Sequence, residues 1–261
     1  MSIKNYEFWF VVGTQFLYGE DIFETINEHS KEMCSEWSSK LPCRIVAKPC
    51  VKTSKEILDV MQAANCDEKC AGVITWMHTF SPSKAWIAGF NALQKPYLHV
   101  NTQFNRDIPW NDIDMDFMNL NQSAHGDREH GFIAARMRLK RKVIAGYWKD
   151  ETFQKKMEIW MRAAVGAAES RKTHVLRISD NMRNVAVTDG DKIEAQIRLG
   201  WQVDHFGVGD IIKEVEAVTE AEIDAQMAEY EEHYIMDTDN MDAVRYQARE
   251  EVAIKKFLER Y

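Results

Sequence analysis

The chain has 261 residues, 45% hydrophobic and 28% charged, with a formal net charge of −8. That composition excludes a disordered or fibrous chain and leaves room for one large domain or two smaller ones with real cores. The acidic balance argues against nucleic acid or an anionic membrane as the main partner. No apolar run reaches the roughly 18 residues of a membrane span, and Met1-Ser-Ile-Lys-Asn-Tyr-Glu lacks a secretory pattern, so a cytoplasmic location is expected.

Tyr6 to Gly13 is a short apolar run ending at glycine, as expected for a strand buried on both faces of a parallel sheet. A loop to Gly19 and an acidic helix from about Asp21 to Ser39 follow, then a second strand from Cys43. Thr53-Ser-Lys-Glu56 reads as a capping box opening a helix through Ala64. Cys70 to His78 is a third strand, and Ser81-Pro82 starts a helix with proline at its first position. Pro96 to Gln103 is a fourth strand and Lys142 to Trp148 a fifth, followed by an amphipathic helix from Asp150 to about Glu169. Five alternations predict a doubly wound, Rossmann-like α/β domain over 1–169, with ligands at the C-terminal ends of its strands. After a polar joint, strands at His174 and Trp201, a helix at Lys192 to Leu199, and helical sequence at Thr219–Tyr234 and Met241–Tyr261 predict a partial second α/β domain over 170–261.

Between the fourth and fifth strands, Asp114 to Arg138 carries apolar residues at helical spacing around a polar centre of Asn119, Asn121, Gln122, His125, Asp127, Arg128, Glu129 and His130. Gly126 and Gly131 weaken a helix there by about 1 kcal/mol each relative to alanine, which suggests the close approach of another chain or a ligand. Gln15, Leu17, Tyr18, His78, Thr79, Phe80 and Gln103 lie just past strand ends and should meet this helix at one rim. Asparagine, glutamine, histidine and tyrosine together suit a polyhydroxylated ligand, because each hydroxyl both donates and accepts.

Other chemistries find less support. His125 and Glu129 share a helix face, but their spacing fits neither zincin motif and no third metal ligand is near in sequence. Gly13 to Gly19 has neither the lysine of a phosphate loop nor the spacing of a dinucleotide fingerprint. Thr188-Asp-Gly-Asp resembles part of a calcium loop but reads better as a helix cap. The basic run from Arg136 to Lys142 complements a helix C-terminus. The five cysteines are expected as reduced, buried thiols, and the tryptophans as core or subunit contacts.

Tyr6–Gly19, Thr75–Trp86, Asn101–Asn105, Asp112–Gly126 and Asp180–Lys192 together resemble the L-arabinose isomerase family. The resemblance implies interconversion of L-arabinose and L-ribulose, with D-galactose to D-tagatose as a side activity, in a trimer or hexamer that uses a manganese-type divalent ion (Mn2+). It implies that Gln15, Leu17, Tyr18 and Met182 lie near the sugar, and that Phe80, Gln122 and His125 reach a neighbouring subunit's site. In the family, two glutamates and two histidines hold the metal and move the proton between C1 and C2. Their positions lie beyond the point matching Tyr261, so no catalytic and no metal-ligating residue is expected in this chain, and little turnover by it alone. The alternative expectation is a non-catalytic, sugar-binding or regulatory paralogue that joins an isomerase oligomer.

Overall fold

Phe8, Phe10 and Val12 lie on one face of β1 (Glu7–Val12) and Trp9 and Val11 on the other, and none is more than 5% exposed. Such a strand has apolar cover on both sides, which is why its sequence shows no polar alternation. The computed structural model describes residues 3–261. After β1 come α1 (Glu20–Lys40), β2 (Arg44–Ala47), α2 (Ser54–Cys66), β3 (Cys70–Trp76), α3 (Ile87–Ala92) and β4 (Tyr97–Asn101). Two helices follow, α4 (Met115–Leu120) and α5 (Ser123–Arg136), then β5 (Arg141–Ala145) and α6 (Glu151–Ser170).

The five strands form one parallel sheet in the order β2-β1-β3-β4-β5. Strand order therefore reverses between β1 and β3, the position at which doubly wound folds leave a crevice above their strand ends. One face is covered by α1 and α6 through Ile26, Met33, Trp37, Met157 and Met161. On the other, Ile57 and Met61 of α2 and Phe90 of α3 meet Trp9, Val11 and Val73. Thr53 and Glu56 do form the capping box of α2, which contributes about 1 kcal/mol to that helix.

A second unit covers Glu169–Tyr261, the first ending at Ala168. Its sheet has two parallel strands, β6 (His174–Ile178) and β7 (Gln202–Phe206), with α7 (Lys192–Leu199) between them. Then come α8 (Val208–Ala217), α9 (Glu220–His233) and α10 (Met241–Arg260), with Val218, Ile223, Met227, Ala248 and Ala253 at their core. Asp191 caps α7 by accepting from the Glu194 N–H, so the acidic turn is a helix cap.

Several local expectations need correction. Asp114 to Arg138 is two helices rather than one. Asn121 breaks it: its side-chain amide donates to the Phe117 carbonyl, and the next N–H, that of Gln122, goes to the His78 carbonyl at 3.0 Å. Phe132, expected in an apolar stripe, is exposed. Pro82 precedes a short 3-10 turn, Ser83–Trp86, as its cap and is not the first residue of a helix. Tyr147 and Trp148 fall past the end of β5. Four cysteines are buried free thiols, burial pushing Cys34 up to about 12, but Cys66 at the end of α2 is exposed. Trp37, Trp76, Trp86 and Trp148 are core residues, whereas Trp110 is 78% exposed.

At the crossover, Gly13 is required by space. A Cβ there would sit 2.6 Å from both the Ser81 hydroxyl oxygen and a ring carbon of Trp86. Gly13→Ala should therefore cost about 1–3 kcal/mol in urea unfolding. Gly166→Ala, in α6 with no atom near enough to touch the new methyl, should be neutral or stabilising by up to about 1 kcal/mol. Equal effects of the two would show that the close approach at Gly13 carries no weight.

Candidate functional site

Three segments meet above the strand ends: the loop after β1, the loop after β3, and the first turn of α5. Thr79 donates to the Thr14 hydroxyl at 2.8 Å, tying the first two loops together. Gln15 follows in extended conformation, and Phe16–Tyr18 forms a 3-10 turn closed by Gly19 at φ +87°, where a side chain would be strained. Leu17 is 81% exposed, Gln15 and Tyr18 are half-buried, and Phe16 packs edge-on against Phe23.

The α5 turn is held from below. Besides the Gln122 N–H bond to His78, the Ser123 hydroxyl donates to the Gln103 side chain at 3.3 Å. Gly126 lets the helix touch β3's end, since its Cβ would lie 3.0 Å from Met77 Cβ. This approach explains Gly126. At Gly131 a Cβ would meet only the Arg141 guanidinium, at an ordinary contact distance of 3.6 Å, so no close approach explains that glycine.

So held, α5 presents His125 to solvent, its ring 4.9 Å from that of Phe80. Gln122 is half-buried and its amide donates to the Asn119 side chain at 3.2 Å. Both line a cleft of about 550 Å³ together with Gln103, Asn119, Asn121 and Phe117. Among the expected site residues, Phe80, Gln122 and His125 are thus neighbours. Gln15, Leu17 and Tyr18 stand on the loop tied beside Phe80 through Thr14 and Thr79. Met182 belongs to the second unit, where it is exposed.

His78 and Thr79 are not on the rim, as their sequence positions suggested. Both are completely buried. The His78 ring stacks on Trp76, and its Nε2 pairs with His29 Nδ1 at 2.8 Å. Burial, with His29 close by, lowers the His78 pKa to about 3, and burial also lowers that of His29. The Glu129 carboxylate accepts the Ser83 N–H at 3.0 Å. Among the described residues no three histidine, cysteine or carboxylate side chains come close enough to hold a metal ion. The donor set thus does not fit the divalent ion the resemblance implies.

Sequence reasoning missed a buried polar cluster under α5, formed by Thr75, Tyr97, His99, Asp127 and His130. A signal was present: Tyr97 and His99 put polar groups on one side of an otherwise apolar strand, as Asp127 and His130 do on one face of a helix.

Residues 2–172 match the L-arabinose isomerase N-terminal domain, and residues 174–261 match the L-arabinose isomerase central domain. The chain belongs to the L-arabinose isomerase family. It is 52% identical over 256 residues to the L-arabinose isomerase of Shouchella clausii, covering 98% of this chain and 53% of that protein. The isomerase of Thermotoga maritima is 50% identical over 262 residues and that of Geobacillus kaustophilus 51% over 267, covering 99% of this chain and 53% and 54% of theirs. The chain spans about half the length of these family members. No helix among the described residues is long and apolar enough to cross a membrane.

The histidine pair sets an acid limit. An imidazole whose folded pKa lies below its unfolded value takes up its proton on unfolding, so stability falls as pH drops below about 6.5. For His78 alone the loss between pH 7 and pH 5 should be about 2 kcal/mol. Urea unfolding at the two pH values should show it, and His78→Gln should flatten the dependence by about one proton. An unchanged slope in that variant would show that His78 is not the group responsible.

Proposed function

We propose that this chain supplies the substrate-positioning half of an aldose-ketose isomerase that interconverts L-arabinose and L-ribulose, with D-galactose to D-tagatose as a side reaction. The observation that carries this reading is the cleft at the start of α5, where Gln122, His125 and Asn119 gather and the His125 ring lies against that of Phe80. An amide side chain both donates and accepts, as does a neutral imidazole through its two nitrogens, and a sugar hydroxyl needs both from its surroundings. Phe80 and Phe117 offer apolar surface for the C–H faces of the sugar. Gln15, Leu17, Tyr18 and Met182 are assigned to sugar binding from their match to the family's sequence, whereas Phe80, Gln122 and His125 are assigned to a neighbouring subunit's site.

The metal and the acid/base groups are assigned to the part of the longer family members that this chain does not match. Manganese, a trimeric or hexameric assembly whose subunits share sites, and a cytoplasmic location belong to the same proposal. The exposure of His125 supports the shared site, since a hydrogen-bonding side chain left outside its own fold is free to serve a neighbour's ligand.

Two measurements test the reading. The purified chain with Mn²⁺ and L-arabinose should form ketose at well under ~1% of the rate of a full-length family member, because positioning without general acid/base groups forfeits most of the barrier reduction. A comparable rate would overturn that division of labour. Substituted for the matching half of a full-length member, the chain should restore turnover. In that hybrid His125→Ala should raise KM about tenfold, the loss of one ~1.4 kcal/mol contact. An unchanged KM and kcat would remove His125 from the site.

A further inference from the structure

Beneath the first two turns of α5, five buried side chains join in an unbranched series. Asp127 Oδ1 lies 2.7 Å from His99 Nε2, His99 Nδ1 lies 2.9 Å from Thr75 Oγ1, Thr75 Oγ1 lies 3.0 Å from the Tyr97 hydroxyl, and that hydroxyl lies 2.5 Å from His130 Nε2. Thr75 and His130 are completely buried, and none of the others is more than 8% exposed. The two atoms at the extremes, Asp127 Oδ2 and His130 Nδ1, have no partner. A series with both ends free and every inner atom paired is an open chain.

Such a chain has two consistent directions. With Asp127 ionised and His99 neutral, every hydrogen points toward the carboxylate: His130 Nε2–H donates to Tyr97, Tyr97 to Thr75, Thr75 to His99 Nδ1, and His99 Nε2–H to the carboxylate. With Asp127 protonated, every link reverses: Asp127 donates to His99 Nε2, His99 Nδ1–H to Thr75, Thr75 to Tyr97, and Tyr97 to His130 Nε2. His130 then carries its proton on Nδ1. The reversed form holds one more proton than the first, gained at the free His130 Nδ1, while each inner link exchanges one hydrogen for another. Mixed directions leave two oxygens or nitrogens facing each other with no hydrogen between them, which the buried setting penalises by about 1–3 kcal/mol.

We propose that Asp127 and His130 are positioning residues that lock α5 to the sheet through this single directional chain, with its direction set by whether the Asp127–His99 pair carries one proton or two. Thr75 on β3 and Tyr97 and His99 on β4 are its fixed members, and α5 supplies both ends. Arg141, reaching in from β5 past Gly131, is the charged group facing the cluster, and it favours the ionised carboxylate. Burial works the other way, raising the Asp127 pKa. Burial also keeps His130 neutral, with its pKa lowered well below the ordinary value, so that its tautomer and not its charge is what changes. The bearing on sugar binding rests on the proposed reading of Gln122 and His125 as the rim, because both stand on the turn these contacts hold.

The test is nitrogen NMR of the imidazole rings in the full 261-residue chain. Near pH 8.5, roughly two units above an ordinary imidazole pKa, His130 should carry its proton on Nε2 in the unmodified chain. Asp127→Asn, whose amide can donate to His99 as well as accept from it, should move that proton to Nδ1 in part of the molecules. Thr75→Val, which cuts the chain without touching His130, should do the same, because Tyr97 is then left to donate to His130. Thr75→Ser should restore the Nε2 form. If His130 keeps one tautomer in all four chains, the contacts are separate pairs and the proposal falls; should Asp127→Asn fail to fold, Thr75→Val and Thr75→Ser decide between the same two outcomes. These spectra need no sugar. An intact tautomer response combined with an unchanged KM in His125→Ala would overturn the rim reading alone.

Discussion

One backbone hydrogen bond, from the Gln122 N–H to the His78 carbonyl, governs the geometry around the cleft. It takes the N–H that would have continued α4 into a single long helix, so the chain bends at Asn121 and α5 starts over the end of β3. The bond cannot form unless the helix comes very near the strand, and Gly126 against Met77 is what allows that. Gly126, which costs α5 about 1 kcal/mol in intrinsic helix preference, is thus accounted for by a contact a larger residue would block.

Polar groups are deployed in two tiers around this point. The lower tier, from Thr75 to His130 and including His78, is removed from water and is held by its own hydrogen bonds, with His78 paired to the half-buried His29. The upper tier, with Gln122, Asn119 and His125, keeps its hydrogen-bonding capacity turned to the cleft. Histidine occurs in both, and burial is what separates a histidine that orients the scaffold from one free to bind a hydroxyl. His125 and His130 lie on one helix, yet one is exposed and the other completely buried. Their difference follows from the helical period, which turns them to different faces.

Membership in the L-arabinose isomerase family rests on the whole length of the chain, which spans about half the length of the family members it matches. The first unit is built from one sheet covered on both faces, and its core is continuous across β1. The second has two strands and a smaller core between α8, α9 and α10.

The sequence by itself determined the elements whose signals are local. Apolar runs ending at glycine marked β1 and β3 because a strand covered on both faces has no polar alternation, and Thr53 with Glu56 marked the start of α2 because capping involves residues only three apart. The polar residues of α5 were also legible as a group. Only the tertiary structure decided which of them face the cleft, since strand order and the register of α5 on the sheet depend on residues far apart in the chain. His78 reads like a rim residue, being just past a strand end, and becomes a buried stacking partner because α1 brings His29 and β4's loop brings Phe104 over it. The break at Asn121 and the chain from Asp127 to His130 share that origin: each is made by a contact with a distant segment, and no local pattern encodes a partner about twenty to forty-five residues away.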